Sequence, residues 1–161
     1  MYVVDSNVFM QAANTYYAFD LVPAFWDWLE TRIGTDIFTI TAVKEEILAQ
    51  NDQLANWFAS VDDPKWVLPV DDEHTQLQMP KITQHCVDYG YKLPGITKFL
   101  SGADPWVIAY ARAKGWIVVT HEESNPDTKK RVKIPDVCNN LGVQHMMAFE
   151  MLRILGFTAK G

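Results

Sequence analysis

The chain has 161 residues, of which 48% are hydrophobic and 21% charged, and its formal net charge is −6. This length predicts a single domain with one core, and the composition argues against a disordered chain. No apolar run reaches the roughly 18 residues of a membrane span, and residues 1–5 lack the basic leader of a signal peptide. We therefore expect a cytoplasmic protein that does not enter a membrane.

The acidic charge balance argues against nonspecific binding to nucleic acid, although carboxylates that hold metal ions would add to the same excess. Cys86 and Cys138 lie far apart in the sequence and form no C-x-x-C pair. They are expected to be two buried thiols, and the sequence gives no support for a disulfide or zinc framework.

Strand and helix patterns alternate through the first third of the chain. Tyr2–Val4 is a short apolar run typical of a strand buried on both faces, and a short helix over 8–14 is expected to follow it. Pro23 is placed to begin a helix that runs to Arg32. The next predicted elements are a strand over 37–40, a helix over 42–50 capped by Thr41, and a helix over 54–61.

The region from about 62 to 102 is predicted to be an irregular extended segment because prolines and glycines interrupt it. Within it, a short strand over 65–68 and a polar helix opening at the acidic residues 71–73 are expected. Residues 79–102 form its least regular part and are the best candidate for a loop that faces substrate. Lys98 in this loop has two interpretations, as a solvated surface residue or as a phosphate contact.

Helices and strands are again clear after residue 102. Asp104 and Pro105 are placed as the N-cap and first residue of a helix that ends near Gly115. The remaining predicted elements are a strand over 116–120, a short edge strand over 132–134, a helix that begins at Pro135 and stops at Gly142, and a helix over 146–155. This alternation predicts the α/β class, with a mainly parallel central sheet and helices on both faces.

Four acids fall at the ends of predicted strands or at the starts of helices: Asp5, Glu46, Asp104 and Glu122. Each has an ordinary explanation as a helix cap, a turn residue or an acid near a helix N-terminus. The carboxyl ends of parallel strands nevertheless meet at one edge of the sheet. Carboxylates brought together there repel one another, and divalent cations relieve the repulsion. An all-oxygen site without Cys or paired His favours Mg²⁺ or Mn²⁺ over Zn²⁺.

A basic stretch follows the last of these acids and contains Lys129, Lys130, Arg131 and Lys133. It is either a set of surface cations on an edge strand or a patch that binds phosphate. Asp136 is a further candidate acid, although its place at a helix start is explained by the helix dipole.

Four stretches that carry the acids resemble, in order, the acidic motifs of the PIN domain. They are residues 3–8 (VVDSNV), 41–47 (TAVKEEI), 103–111 (ADPWVIAYA) and 118–122 (VVTHE). The resemblance covers nearly the whole chain and is closest to an uncharacterised bacterial branch, with a broader similarity to the toxins of toxin-antitoxin pairs. It implies a single α/β/α sandwich with a mainly parallel sheet.

The resemblance also implies which residues act. Asp5, Glu46, Asp104 and Glu122 would be the catalytic acids around Mg²⁺ or Mn²⁺, with Asn7 and Thr120 as supporting polar residues. Glu46 is preferred to Glu45 because it directly precedes an apolar residue, and Glu122 is preferred to Glu123 because it keeps a two-residue offset from Thr120. The family pattern usually has Asp where this chain has Glu122.

The activity implied is that of an endoribonuclease that hydrolyses RNA with metal-activated water and leaves 5'-phosphate and 3'-hydroxyl ends. An apolar groove near the early helices is expected to serve an antitoxin protein or a second copy of the chain. Two alternatives remain open from the sequence. The same site would also suit a structure-specific DNA nuclease, and a non-catalytic module could bind RNA or protein.

Overall fold

A parallel five-stranded sheet forms the centre of the computed structural model, which describes residues 1–159. The strands are β1 (Tyr2–Val4), β2 (Ile37–Ile40), β3 (Val67–Leu68), β4 (Ile117–Val119) and β5 (His145–Met146). Their order across the sheet is β3-β2-β1-β4-β5, and every neighbouring pair is parallel. The predicted α/β class with a mainly parallel sheet is confirmed.

Helices flank this sheet and account for most of the remaining chain. They are α1 (Ser6–Gln11), continued by a π-helical stretch (Ala12–Tyr16), α2 (Pro23–Arg32), α3 (Thr41–Leu48), α4 (Gln53–Val61), α5 (Glu73–Gln76), α6 (Gln78–Tyr89), α7 (Leu93–Ser101), α8 (Asp104–Lys114), α9 (Ile134–Leu141) and α10 (Ala148–Ile154). Helix α8 packs against β1, β2 and β4, which places its first residue beside the middle of the sheet. None of the helices formed by residues 1–159 has the length and apolar character needed to span a bilayer.

The strands at the centre of the sheet, β1, β2 and β4, are short apolar runs that are almost fully buried. In β1, Val3 lies opposite Phe38 of β2 and Val118 of β4. Val3 and Val118 are both 0% exposed, so these strands have no face left for solvent. A strand covered on both sides carries apolar residues without alternation, which is why the predicted bounds of β1 and β2 match the structure. Pro23 likewise begins α2 as expected.

The polar helix expected to open at residues 71–73 is present as α5, but the prediction of an irregular stretch is wrong for residues 79–101, most of which lie in α6 and α7. Pro80 is the third residue of α6, and Pro94 is the second residue of α7. The first backbone N–H groups of a helix have no partner within that helix, so a proline there costs no hydrogen bond. Both prolines therefore mark the starts of helices.

Four smaller predictions also need correction. The edge strand predicted over 132–134 is absent, and Ile134 is the first residue of α9. The last helix begins at Ala148 and not at residue 146, because Met146 belongs to the two-residue strand β5. The N-caps of α3 and α8 are Ile40 and Ala103, so Thr41 and Asp104 are the first helical residues and do not act as caps.

Thr39 provides a test of how β1 and β2 are held together. It is completely buried, and its hydroxyl donates to the backbone oxygen of Val4 at 2.7 Å. We expect Thr39→Val to lower the free energy of unfolding by about 1 to 2 kcal/mol, because a buried acceptor loses its donor while the shape is kept. Urea denaturation measures this change. The exposed Thr35→Val should stay within about 0.5 kcal/mol of the parent, and a Thr39→Val protein as stable as the parent would contradict the expectation.

Candidate metal centre

Asp5 directly follows the central strand β1, is the N-cap residue of α1 and is 1% exposed. Its backbone N–H donates to Val119 O at 3.0 Å, which ties it to the end of β4. One carboxylate oxygen accepts from the Ser6 N–H at 2.8 Å and the other from the Thr120 hydroxyl at 3.2 Å. Burial raises the pKa of Asp5 well above its ordinary value, and the negative charges of Asp104 and Glu122 raise it further.

Asp104 faces this carboxylate from the first turn of α8. It is the first helical residue, and α8 has no side-chain cap, so helix capping does not explain its presence. Burial is the largest cause that raises its pKa, followed by the charges of Glu122 and Glu46. Together with a smaller opposing effect of Arg131, they bring the pKa to about 7. In its ionised form, Asp104 therefore lowers the stability of the folded state, because it lies buried among other acids.

Glu46 is held in the same place by donors from two different parts of the chain. Its Oε2 accepts from the Ser6 hydroxyl at 2.7 Å, and its Oε1 accepts from the Ala103 N–H at 2.8 Å. A Cβ added at Gly102 would lie 3.2 Å from Oε1, so the chain passes close to the carboxylate. Glu45 is exposed, whereas Glu46 is half-buried. Of the two adjacent acids, the structure thus brings Glu46 to Asp5 and Asp104.

Glu122 lies just beyond β4 and has both oxygens engaged. Its Oε2 accepts from the Ile134 N–H at 2.8 Å, and its Oε1 lies 3.5 Å from Arg131 Nη2. The neighbouring Glu123 is exposed. Glu122 therefore both contributes charge to the cluster and holds the start of α9.

Asn7 and Thr120 connect the ends of the two central strands. The Asn7 amide donates to Thr120 Oγ1 at 3.2 Å and accepts from the His121 N–H at 3.1 Å. Thr120 Oγ1 also accepts from the Glu122 N–H at 3.1 Å. Through these hydrogen bonds, Asn7 and Thr120 connect Asp5 to the backbone of Glu122, which is consistent with a supporting role.

Asp136 and the residues of the basic stretch lie in different surroundings and do not form one group. Asp136 is buried, but its carboxylate accepts from the Ser124 hydroxyl and the Asn125 N–H, so it fixes the loop that follows β4. Lys129 Nζ lies 3.3 Å from the centre of the Tyr89 ring. Lys133 is the N-cap residue of α9.

Lys130 and Arg131, in contrast, line a cleft of about 400 Å³ beside the acids. Glu46 and Asp104 form part of its wall, and Lys98 of α7 lines it too. Cations and carboxylates therefore meet in one depression at the carboxyl end of the sheet. Two of the four predicted basic residues take part in it.

The donors present fit a hard divalent cation. They are carboxylate oxygens, Asp5 and Asp104 have raised pKa values, and Arg131 is the cation that lowers the pKa of Asp104. Within residues 1–159, no group of three or more His, Cys, Asp and Glu side chains is already close enough together to hold a metal ion. The fit therefore rests on the chemistry of the donors and on their mutual repulsion, without a preformed coordination geometry.

Two supporting groups were not found from the sequence. Ser6 directly follows Asp5, and a hydroxyl beside an acid at a helix start was a signal that could have indicated its contact with Glu46. The Ala103 N–H leaves no such signal, because a backbone group becomes a donor to Glu46 only through the packing of α3 against the start of α8.

The parallel sheet and its strand order give the chain a PIN-like fold. The solved structure of VapBC-1 from nontypeable Haemophilus influenzae superposes with a TM-score of 0.55 at 12% identity, covering 91% of this chain and 96% of that one. FitAcB from Neisseria gonorrhoeae gives a TM-score of 0.52 at 15% identity with the same coverage. At these identities the likeness concerns the fold, and it confirms the PIN-like prediction.

The family is given by the sequence comparison. Residues 2–159 match the family described as a domain of unknown function, DUF4411, and the chain belongs to that family. A comparison with curated proteins gave no match.

Proposed function

We propose that this protein is a metal-dependent endoribonuclease that hydrolyses RNA phosphodiester bonds at the carboxyl edge of its sheet. The observation that carries the proposal is Asp104. It serves no helix cap, it lies with Glu46 and Glu122, and its pKa is about 7. Perturbed acids gathered in a cleft are typical of sites that bind metal ions or perform catalysis.

The proposed roles follow from how each acid is held. Asp5, Glu46, Asp104 and Glu122 would hold one or two Mg²⁺ or Mn²⁺ ions. The chemistry that such ions supply when bound is activation of a water nucleophile and neutralisation of charge on the phosphate. Ser6 and Thr120 orient Asp5, while Ser6 and the Ala103 N–H orient Glu46. Cleavage would leave 5'-phosphate and 3'-hydroxyl ends.

The proposed biological setting is that of a cytoplasmic toxin controlled by an antitoxin protein. Support comes from the resemblance of the four acidic motifs to those of toxins from toxin-antitoxin pairs, and from the fold that the chain shares with VapBC-1 and FitAcB. An antitoxin would limit cleavage of cellular RNA by occupying the protein. A homodimer is a further proposed assembly.

Adjacent acids provide a matched test of the active site. We expect Glu46→Gln to reduce cleavage of single-stranded RNA about 100-fold, because one carboxylate of the metal-binding set is lost. Glu45→Gln, with the same chemical change at an exposed neighbouring position, should cleave at the parental rate. Initial rates in Mg²⁺ and in Mn²⁺ measure the difference. Equal rates for the two variants would contradict the assignment of Glu46.

The substrate is tested with the parent protein and two labelled nucleic acids. Single-stranded RNA should be cleaved faster than a flapped DNA duplex in either metal. A clear preference for the DNA would replace the RNA proposal. No cleavage of either substrate, in a protein that binds Mn²⁺, would overturn the nuclease proposal altogether.

A further inference from the structure

Arg131 makes an ion pair that joins the acidic cluster to the cleft. Its Nη2 lies 3.5 Å from Glu122 Oε1, and the side chain is 61% exposed, whereas that of Glu122 is 11% exposed. Arg131 also lowers the pKa of Asp104, so its positive charge acts on more than one acid. The guanidinium thus partly neutralises the cluster from its solvent side.

The backbone that leads into Arg131 is held by contacts with the start of α7, whereas most of the Arg131 side chain is exposed to solvent. Lys129 O accepts from the Lys92 N–H at 2.8 Å. A Cβ on Gly95 would come within 2.4 Å of Lys130 O, so the first turn of α7 packs directly on this backbone. A side chain that is mostly exposed on a fixed backbone can change partners without disturbing the packing.

The alternative partner lies in the same cleft. Arg131 lines it together with Lys98 of α7 and Lys130. A guanidinium can bind a phosphate group through two parallel hydrogen bonds, which an ammonium cannot do. A divalent cation, in turn, is a stronger counterion for a carboxylate than a singly charged guanidinium is. The two cations therefore compete for Glu122 Oε1.

We propose that a divalent cation displaces Arg131 from Glu122, and that the released guanidinium binds a phosphate group of the RNA strand in the cleft. The competition for Glu122 rests on the metal binding in the proposed function, and the phosphate contact rests in addition on its RNA substrate. Arg131 is on this view a positioning residue whose contact with RNA depends on the metal.

The first experiment measures Mn²⁺ alone. Arg131→Gln is compared with Lys130→Gln, which removes the same charge from the same cleft but from a residue that forms no ion pair with the four acids in the described chain. Mn²⁺ is titrated while the melting temperature is recorded. We expect Arg131→Gln to bind Mn²⁺ at least about fivefold more tightly than Lys130→Gln does, since a competing interaction is lost. Equal affinities would overturn the competition.

The second experiment measures binding of a short fluorescent RNA with phosphorothioate linkages, which are hydrolysed slowly. With Mn²⁺ present, Arg131→Gln should weaken binding about tenfold more than Lys130→Gln, because a two-bond phosphate contact is lost. With EDTA, the two variants should bind RNA equally. A difference that is the same in Mn²⁺ and EDTA would show that Arg131 contacts RNA without being released by the metal, which overturns the proposal.

The two proposals fail in different ways. If the protein cleaves no nucleic acid, the nuclease proposal fails, and the Mn²⁺ titration still decides whether Arg131 competes with the ion. If RNA is cleaved and both variants bind Mn²⁺ equally, the nuclease proposal stands and the role of Arg131 is wrong.

Discussion

Asp104→Asn is expected to abolish RNA cleavage and, in the absence of metal, to make the protein more stable. The loss of activity should be at least about 1000-fold, because the substitution removes a central ligand of the metal ions and with it several kcal/mol of charge stabilisation in the transition state. The gain in stability has a different origin. Asparagine cannot carry the charge that burial, Glu122 and Glu46 oppose at this position.

The sign of the pH dependence follows from the raised pKa. The folded protein holds a proton on Asp104 up to about pH 7, whereas the unfolded chain releases it near the ordinary value of 3.8. The contribution of Asp104 to stability in EDTA should therefore fall as the pH rises from about 4 to about 7 and then stay constant. The penalty above pH 7 is at most about 2 to 4 kcal/mol, after allowance for the partial exposure of the group. Asp104→Asn removes this part of the decline.

Thermal or urea unfolding at pH 5 and pH 8 in EDTA measures the effect. The parent should lose more stability between these values than Asp104→Asn, and Mn²⁺ at pH 8 should stabilise the parent but not the variant. Asp71→Asn, at an exposed acid outside the cluster, is the control and should follow the parent. If both Asn variants respond alike to pH and to Mn²⁺, the acids do not form one site.

Gly95→Ala is expected to destabilise the protein even though it lies within a helix. Alanine is favoured over glycine in a helix by about 1 kcal/mol, so propensity alone predicts a more stable protein. The added Cβ would, however, lie 2.4 Å from Lys130 O, which is a backbone atom and cannot rotate away. We expect a net loss of about 1 to 3 kcal/mol from the forced separation of α7 and residues 129–131.

The same separation should impair the cleft, because Lys98 and Arg131 line it from the two sides that move apart. RNA cleavage by Gly95→Ala is expected to fall about tenfold at a temperature where the variant is folded, since a displacement near 1 Å is enough to disturb positioning. Thr97→Ala changes an exposed residue of α7 and should alter neither property by much. An increase in melting temperature for Gly95→Ala would show that helix propensity dominates and that the close contact is absent.

The features predicted correctly are those that depend on local chemistry. The strands β1 and β2 were evident because strands covered on both faces are continuously apolar. The helices within residues 79–101 are not evident from the sequence because Pro80 and Pro94 stand near helix starts, and a proline in isolation does not reveal whether it begins a helix or ends one. The strand β5 has two residues, too few for any periodic pattern, and exists through its pairing with β4.

In the candidate site, too, the sequence indicates the features that depend on local chemistry but not those that depend on contacts between distant residues. The four acids could be nominated from their places after strands and at helix starts, and the structure brings all four together. Their interactions could not be predicted, because they join residues distant in the sequence. Glu46 depends on the Ala103 N–H, and Glu122 on Ile134 and Arg131. Whether each acid binds a metal ion stays a prediction.

The strand order has a consequence for the protein during its synthesis. Asp5 and β1 are synthesised before β4 and Glu122, yet β1 becomes the middle of the sheet. A nascent chain that stops before β4 leaves Asp5 without Thr120, and it leaves the edge of β1 open. The acidic cluster does not exist on such a chain, so any activity that it carries begins only after β4 and Glu122 have been synthesised.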